Sequence, residues 1–427
     1  MAATPMTHQK KLLTNSFWNI TGYLYLLIAS LISLPFIVHG LGAEGYARYL
    51  IIIAIFTIAS TFDFGLPTAL VRSLSQKDDD KSTKMRTFRV GLTGMLVLAA
   101  IAALAASYAL VGTRGMTIWQ SSPDALYSSL YALLSLVVVT HLVSYFGAVA
   151  QGRQDFAIAN TRAFIVGTGN TMLAAVTALI TEDLVMVLWV QVASGVFALF
   201  LLMFYAVTEY SGALLIPAFS GRELKKQLKF GFPIFLGNLA PQLQANMTRL
   251  ISGVYLSPPV IATIGIAQSL VVKGTGLFNQ VTTALFPTAV SLADAENRRE
   301  LKALTRKVTV LFVAVTLLAL GVTIVIGQPL LDLWLQNSSM VKNMYPLLIA
   351  YLMYAVIIAL TPVPATTLTA LGMPQIPART AWIHVLLELV LLLILLPRLG
   401  ALGAPYAATA AVAVSTALLL YAYLRVK

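Results

Sequence analysis

The chain is expected to fold as an all-α, polytopic membrane protein of about twelve transmembrane helices in two pseudo-symmetric six-helix lobes. Three observations predict this. The first is composition: of 427 residues, 59% are hydrophobic and 10% charged, with a mean hydropathy of +0.85. A soluble domain carries about 25% charged residues. The second is a succession of uniformly apolar runs near the roughly 20 residues that a helix needs to cross a bilayer. The third is that the polar breaks between these runs recur in the two halves of the chain.

In order, the runs cover approximately 17–39, 46–70, 89–111, 126–149, 161–180 and 184–207, then 230–256, 260–286, 308–326, 344–368, 381–396 and 401–423. The first follows a short polar start with Lys10 and Lys11. No cleavable signal peptide is evident, so this run is expected to stay as an anchor. The second carries Pro67 near its end and leads into a basic loop, 76–86. The third opens at Arg89, and the fourth leads into Gly152-Arg-Gln-Asp-Phe-Ala-Ile-Ala-Asn-Thr-Arg162. After the sixth comes the longest polar break, 208–229, with Pro217, Gly221, Arg222, Lys225, Lys226 and Lys229. The eighth ends at Pro287 before a second basic loop, 294–307. The tenth leads into Gly372-Met-Pro-Gln-Ile-Pro-Ala-Arg379. These features repeat at an offset of about 215–220 residues, a pattern common in transporters. The lobes are therefore placed at 1–207 and 230–427, joined by a cytoplasmic linker, 208–229. Six spans is an even number, so the two copies insert the same way up, with a cleft between them. Barrel strands are not expected, because they need only about 9–11 alternating residues and these runs are longer and uniformly apolar.

The net charge of +12 is accounted for by loop asymmetry rather than by nucleic acid. With the N-terminus inside and the loops alternating, cations divide roughly 22 inside to 4 outside. The outside set is Arg48, Arg114, Lys342 and Arg398. Both termini are thus expected in the cytoplasm. Cysteine is absent, which removes thiol chemistry. There is no phosphate-binding lysine loop, no zinc-protease or Cys/His metal spacing and no nucleophile elbow. No loop is long enough for an external catalytic domain. Neither an enzyme, nor a cofactor, nor a metal site is expected. Transport would have to be driven by a gradient or a partner.

Polar groups inside spans are costly and mark cavities or partners. In the seventh run Asn238, Gln242, Asn246 and Arg249 recur at spacings of four, four and three, on one helix face. Pro241 within this stripe could kink or break the helix. Arg249 suits an anion, since its planar fork matches phosphate oxygens. The alternative is interhelical hydrogen bonding with the arginine reaching for the interface. The eighth run carries Lys273, Gly276 and Gln280 on one face, with Asn279 beside them. Two cations on consecutive helices point to anionic cargo. Asp63 and Arg72 could pair across the end of run two, either as a structural tie or in transport. His384 and Glu388, four residues apart in run eleven, are a proton relay or an internal pair. His141 in run four is read as a helix-packing donor.

Several segments resemble the polysaccharide flippase family, the lipid-linked oligosaccharide exporters of the MOP superfamily that also contains the MATE drug exporters. They are Asn15-Ser-Phe-Trp18, Pro35, Leu41-Gly-Ala-Glu-Gly-Tyr46, Asp63-Phe-Gly-Leu66, Gly152-Arg-Gln-Asp-Phe156 with Asn160, Arg249-Leu-Ile-Ser-Gly253, Phe278-Asn279 with Phe286-Pro287, Gly327-Gln-Pro329 with Leu333-Trp334, and Leu399-Gly-Ala-Leu-Gly403. They span nearly the whole chain. The resemblance implies a V-shaped, MATE-like pair of six-helix lobes in the bacterial inner membrane. It implies oligosaccharide cargo on an undecaprenyl diphosphate carrier, moved by alternating access. The expected substrate-binding residues are then Arg249, Lys273, Asn238, Gln242, Asn246, Gln280 and Arg72. The expected ion-coupling residues are Asp63, His384 and Glu388, using a proton or sodium gradient. Membrane lipids are the other expected partners. The alternative is a MATE-like drug/cation antiporter, which needs buried carboxylates and has only Asp63 and Glu388. One position departs from the family: members often carry an acid just before the arginine of span seven, and here it is Thr248.

Overall fold

The computed structural model describes residues 8–76, 80–293 and 297–425, and the side chains among these at residue 22 and from 24 onward. Lys10, Lys11, Lys77, Lys427 and the Asn15-Ser-Phe-Trp18 motif fall outside the described side chains. Among the described residues all regular structure is helical. The helices are α1 (His8–Ala59), α2 (Leu66–Ser75), α3 (Lys81–Gly112), α4 (Pro123–Gly152), α5 (Phe156–Thr168), α6 (Ala174–Thr181) and α7 (Leu184–Glu209). They continue as α8 (Gly221–Tyr255), α9 (Pro258–Ser291), α10 (Arg298–Leu335), α11 (Ser338–Ile358), α12 (Pro362–Ala370), α13 (Gln375–Leu399) and α14 (Gly403–Arg425).

Nine helical segments among the described residues are long and apolar enough to cross a membrane. This makes the chain a multi-pass membrane protein. Two of the nine, Leu24–Ser60 and Gln375–Arg425, contain a glycine with positive φ, Gly42 and Gly400 respectively. Each such glycine turns one long segment into two of the expected spans, because a left-handed residue interrupts the helix at little cost only when it has no Cβ. The remaining span expected from the sequence is in α8, 35 residues long but interrupted by the polar stripe. This is how twelve expected spans become nine apolar segments.

The structure corrects two of the expected spans. Run 46–70 is not one helix: it breaks between α1 and α2. Phe64 and Gly65 there are left-handed (φ 50 and 71), and the Gly65 amide donates to Asp63 Oδ1 at 2.8 Å. Pro67 then sits in the first turn of α2, where its missing N–H costs nothing. Run 344–368 likewise breaks between α11 and α12, and α12 opens on Pro362. Conversely, Pro241 does not break its helix, since α8 runs through it. The helix also starts at Gly221, inside the stretch read as a linker.

The chain divides into two compact units, Met1–Leu239 and Ala240–Lys427. The core of the first brings together Leu66, Leu70 and Leu74 of α2, Phe88, Leu92 and Met95 of α3, and Tyr145, Phe146 and Val149 of α4, with Ala198, Leu202 and Ala206 of α7. Tyr145 is fully buried and donates to the Phe88 carbonyl at 2.7 Å. Close helix approach depends on small residues, as expected where lipid removes the hydrophobic drive for helices to associate. A Cβ on Gly65 would collide with the Gly231 backbone, and one on Gly40 with the backbone of Ala178. The motif after α4 is an ordered corner. Gln154 is left-handed (φ 59), Asp155 accepts from the Ile158 amide at 3.4 Å to cap α5, and Arg153 is ion-paired with Glu209.

In the second unit the Phe278 and Phe312 rings stack at 4.3 Å, joining α9 to α10, with Ala359 and Val363 against them. Hydroxyl pairs cross between helices: Thr305 with Thr367 at 2.8 Å and Thr361 with Thr416 at 3.0 Å. The α13–α14 hairpin is tight enough that a Cβ on Gly403 would strike the Leu395 carbonyl.

Candidate functional site

The polar residues of the second unit converge on α8, α9, α11, α13 and α14. On α8, Gln244 and Thr248 are one turn apart and share a face, so both can reach a neighbouring helix. Thr248 donates to Glu388 Oε1 at 3.1 Å. Gln244 Nε2 lies 3.0 Å from Tyr354 Oη and 3.3 Å from His384 Nε2. His384 Nε2 lies 3.1 Å from Glu388 Oε2, and Ser415 of α14 meets His384 Nδ1 at 3.3 Å. His384 and Glu388 are 3% and 2% exposed, so the pair is shut off from bulk solvent. Tyr351 of α11 is buried and Tyr354 half-buried, both within reach of the Glu388 charge.

This geometry has chemical content. If His384 Nε2 carries a hydrogen, it donates to the Glu388 carboxylate. If it does not, the ring accepts from Gln244, and the same approach to Glu388 requires a carboxylic acid. One proton can therefore rest on either partner, and Gln244 and Ser415 are placed to favour one arrangement or the other. Sequence spacing identifies His384 and Glu388; it misses Gln244, Tyr354 and Ser415. Thr248, singled out for lacking the family's acid, is bonded to the carboxylate supplied by α13.

Thr248 is followed by Arg249, whose Nη2 donates to Ser269 Oγ on α9 at 3.2 Å. Lys273 is one turn beyond Ser269 on the same face of α9. The Arg249 and Lys273 charges lie close enough to repel each other. The fold thus brings close together the two cations that the sequence places in neighbouring apolar runs. On α9, a Cβ on Gly274 would meet nothing within 4 Å. Gln280 and Gln242 are half-buried, and Asn238 and Asn279 are exposed. Asn246 is buried and donates to the Gln242 carbonyl of its own helix at 2.9 Å.

In the first unit Asp63 and Arg72 form no ion pair among the described residues. Asp63 instead holds the break between α1 and α2 through the Gly65 amide. Its charge faces His141, which is 1% exposed and whose Nδ1 donates to the Val137 carbonyl at 2.8 Å. Arg72 is exposed and lies over the Phe230 ring, 4.4 Å from its centroid. The short-range turn at Gly65 outcompetes the longer reach to Arg72.

Residues 12–293 match the family described as "Polysaccharide biosynthesis protein". A Shigella flexneri protein provisionally named an O-antigen transporter is 21% identical over 420 residues, covering 97% of this chain and 98% of its own. Among solved structures, the lipid II flippase MurJ in an inward closed conformation superposes with a TM-score of 0.78 at 15% identity, covering 96% of this chain and 87% of that one. A multidrug resistance MATE transporter of the MOP superfamily, inward-facing, superposes with a TM-score of 0.75 at 14% identity, covering 95% and 94%. At these identities the structures establish a shared fold.

Proposed function

The chain belongs to the polysaccharide biosynthesis protein family, and from that premise we propose that it is a flippase for undecaprenyl-diphosphate-linked oligosaccharide units, working by alternating access in the bacterial inner membrane with both termini cytoplasmic. The observation that carries this reading is the juxtaposition of Arg249 and Lys273 on the neighbouring helices α8 and α9. Two like charges held together in a low-dielectric region are costly, and a pyrophosphate relieves that cost. Arg249 would present its planar fork to the phosphate oxygens, with Lys273 as a second, point-like charge. Gln242, Gln280 and Asn279 would offer hydrogen bonds to the sugar or to bridging water. Asn246, whose amide nitrogen bonds the Gln242 carbonyl, would offer its amide oxygen.

Deleting the gene tests the proposal. Lipid-linked units should be trapped in the cytoplasmic leaflet and surface polysaccharide should be lost. Normal surface polysaccharide in the deletion strain overturns it.

A proton gradient is the proposed energy source, with the His384–Glu388 pair as the exchanging group and Asp63 beside His141 as a second ionisable pair. Thr248 bonds Glu388 and directly precedes Arg249, so a change of charge at Glu388 is one residue away from the cargo-facing cation. Glu388→Gln keeps the size but holds the site neutral. Transport into proteoliposomes should then no longer respond to an imposed pH gradient, while binding of the lipid-linked unit persists. An undiminished pH response removes Glu388 from coupling. The drug/cation antiporter reading is less well supported. Of its two candidate carboxylates, Asp63 is engaged in the helix break and Glu388 with His384 and Thr248.

A further inference from the structure

The stretch after α7 is pinned to the charged end of α3. The Ala218 amide donates to the Arg89 carbonyl at 3.2 Å, Arg89 Nε to the Ile216 carbonyl at 2.7 Å, and Thr93 Oγ1 to the Ala218 carbonyl at 2.7 Å. Arg89 and Thr93 lie in the third and fourth turns of α3, where its charged start gives way to the apolar run that begins at Arg89. The stretch is therefore held beside the junction between the charged and apolar parts of that helix. Despite three bonds fixing its backbone, it leaves Ile216 57% and Phe219 83% exposed.

Helix α8 begins immediately afterwards, and its first two turns are strongly two-faced. One face packs on α3. Gln227 is 4% exposed and donates to the Thr87 carbonyl at 3.0 Å, and Leu224 fills the space that a Cβ on Gly94 would need. The other face carries Arg222, Lys225, Lys226 and Lys229, all exposed. Their spacing of i, i+3, i+4 and i+7 puts them in one stripe. The single acid of this segment, Glu223, is turned to α3, where it accepts from Thr87 Oγ1 at 3.4 Å. The stripe is thus cationic without a local counter-charge on its face.

We propose that residues 216–229 form a binding site for the headgroups of anionic bilayer phospholipids, with Ile216 and Phe219 inserted at the acyl boundary and the four cations on the phosphates. Exposed apolar side chains beside a cationic helix face are the chemistry of an interfacial anchor. Loop asymmetry alone would explain basic residues near this end of the span, but not their alignment on one face or the exposed phenylalanine beside them. The inference is independent of the cargo reading.

The test uses the full-length protein reconstituted in nanodiscs of phosphatidylcholine with a trace of photoreactive lipid. Photoreactive phosphatidylglycerol should crosslink to residues 211–229 several-fold more than photoreactive phosphatidylcholine with the same acyl chains. A variant with Arg222→Gln, Lys225→Gln, Lys226→Gln and Lys229→Gln should lose most of that excess while melting as the parent does. Equal labelling by the two lipids in the parent protein overturns the proposal whether or not the variant folds. So does an excess that survives the four substitutions.

Discussion

Replacing Arg249 by alanine is expected to abolish export of lipid-linked units while leaving the protein in the membrane at normal abundance. A charge-assisted hydrogen bond contributes about 1.5–3 kcal/mol, so removing one weakens affinity by roughly one to two orders of magnitude. A fork on pyrophosphate makes two such bonds. Lys273→Ala should give the same defect by removing the second charge. The double variant should be no worse than the more severe single one, because both groups act on one anion and their effects are not additive. Arg249→Lys keeps the charge but loses the fork, so it should retain partial function. The cost to folding should be modest, since the bond to Ser269 lost with Arg249 is offset by relief of the charge on Lys273. Surface polysaccharide in complemented deletion strains, read beside immunoblots of membrane fractions, checks all four variants. Normal polysaccharide with Arg249→Ala would separate the cation pair from the cargo and leave the family assignment untouched.

The second large effect is structural. Gly65→Val should yield almost no folded protein. The residue has φ 71, a region that β-branched side chains avoid, and its Cβ would collide with the Gly231 backbone. Backbone cannot move aside as a flexible side chain can, so the break between α1 and α2 or the seat of α8 must distort. Costs beyond about 4 kcal/mol come from such combined strain and overpacking, and they approach the whole stability of many proteins. Gly274→Ala is the matched control, because its Cβ meets nothing within 4 Å. Fluorescence-detected size-exclusion of the two variants in detergent should show aggregate for the first and a parent-like peak for the second. A parent-like peak for Gly65→Val would mean that the close approach to Gly231 does not hold the fold.

Part of the site is legible in the sequence. His384 and Glu388 stand out because a four-residue spacing places two side chains on one helix face whatever surrounds them. Arg249 and Lys273 stand out because a cation in an apolar run is anomalous on sight. Asp63 is recognisable as a group at a helix end, but the sequence suggests the wrong partner for it. Its bond to the amide two residues on forms as the chain turns, whereas reaching Arg72 would need the break to fold differently. Gln244, Tyr354 and Ser415 do not stand out, since an isolated uncharged polar residue in a span carries no pattern.

The amino-acid sequence by itself determined that this protein is a multi-pass helical membrane protein with two out-of-place cations, since hydrophobic length and charge are local properties that no packing arrangement can reverse. Only the tertiary structure decided that Thr248 and Gln244 of α8 serve the His384–Glu388 pair of α13, and that Arg249 adjoins Lys273. It also decided that the start of α8 presents its cations on one outward face. Which faces of which helices meet depends on pairings from about twenty to well over a hundred residues apart, and those are set by small residues and backbone breaks such as Gly65, not by hydropathy.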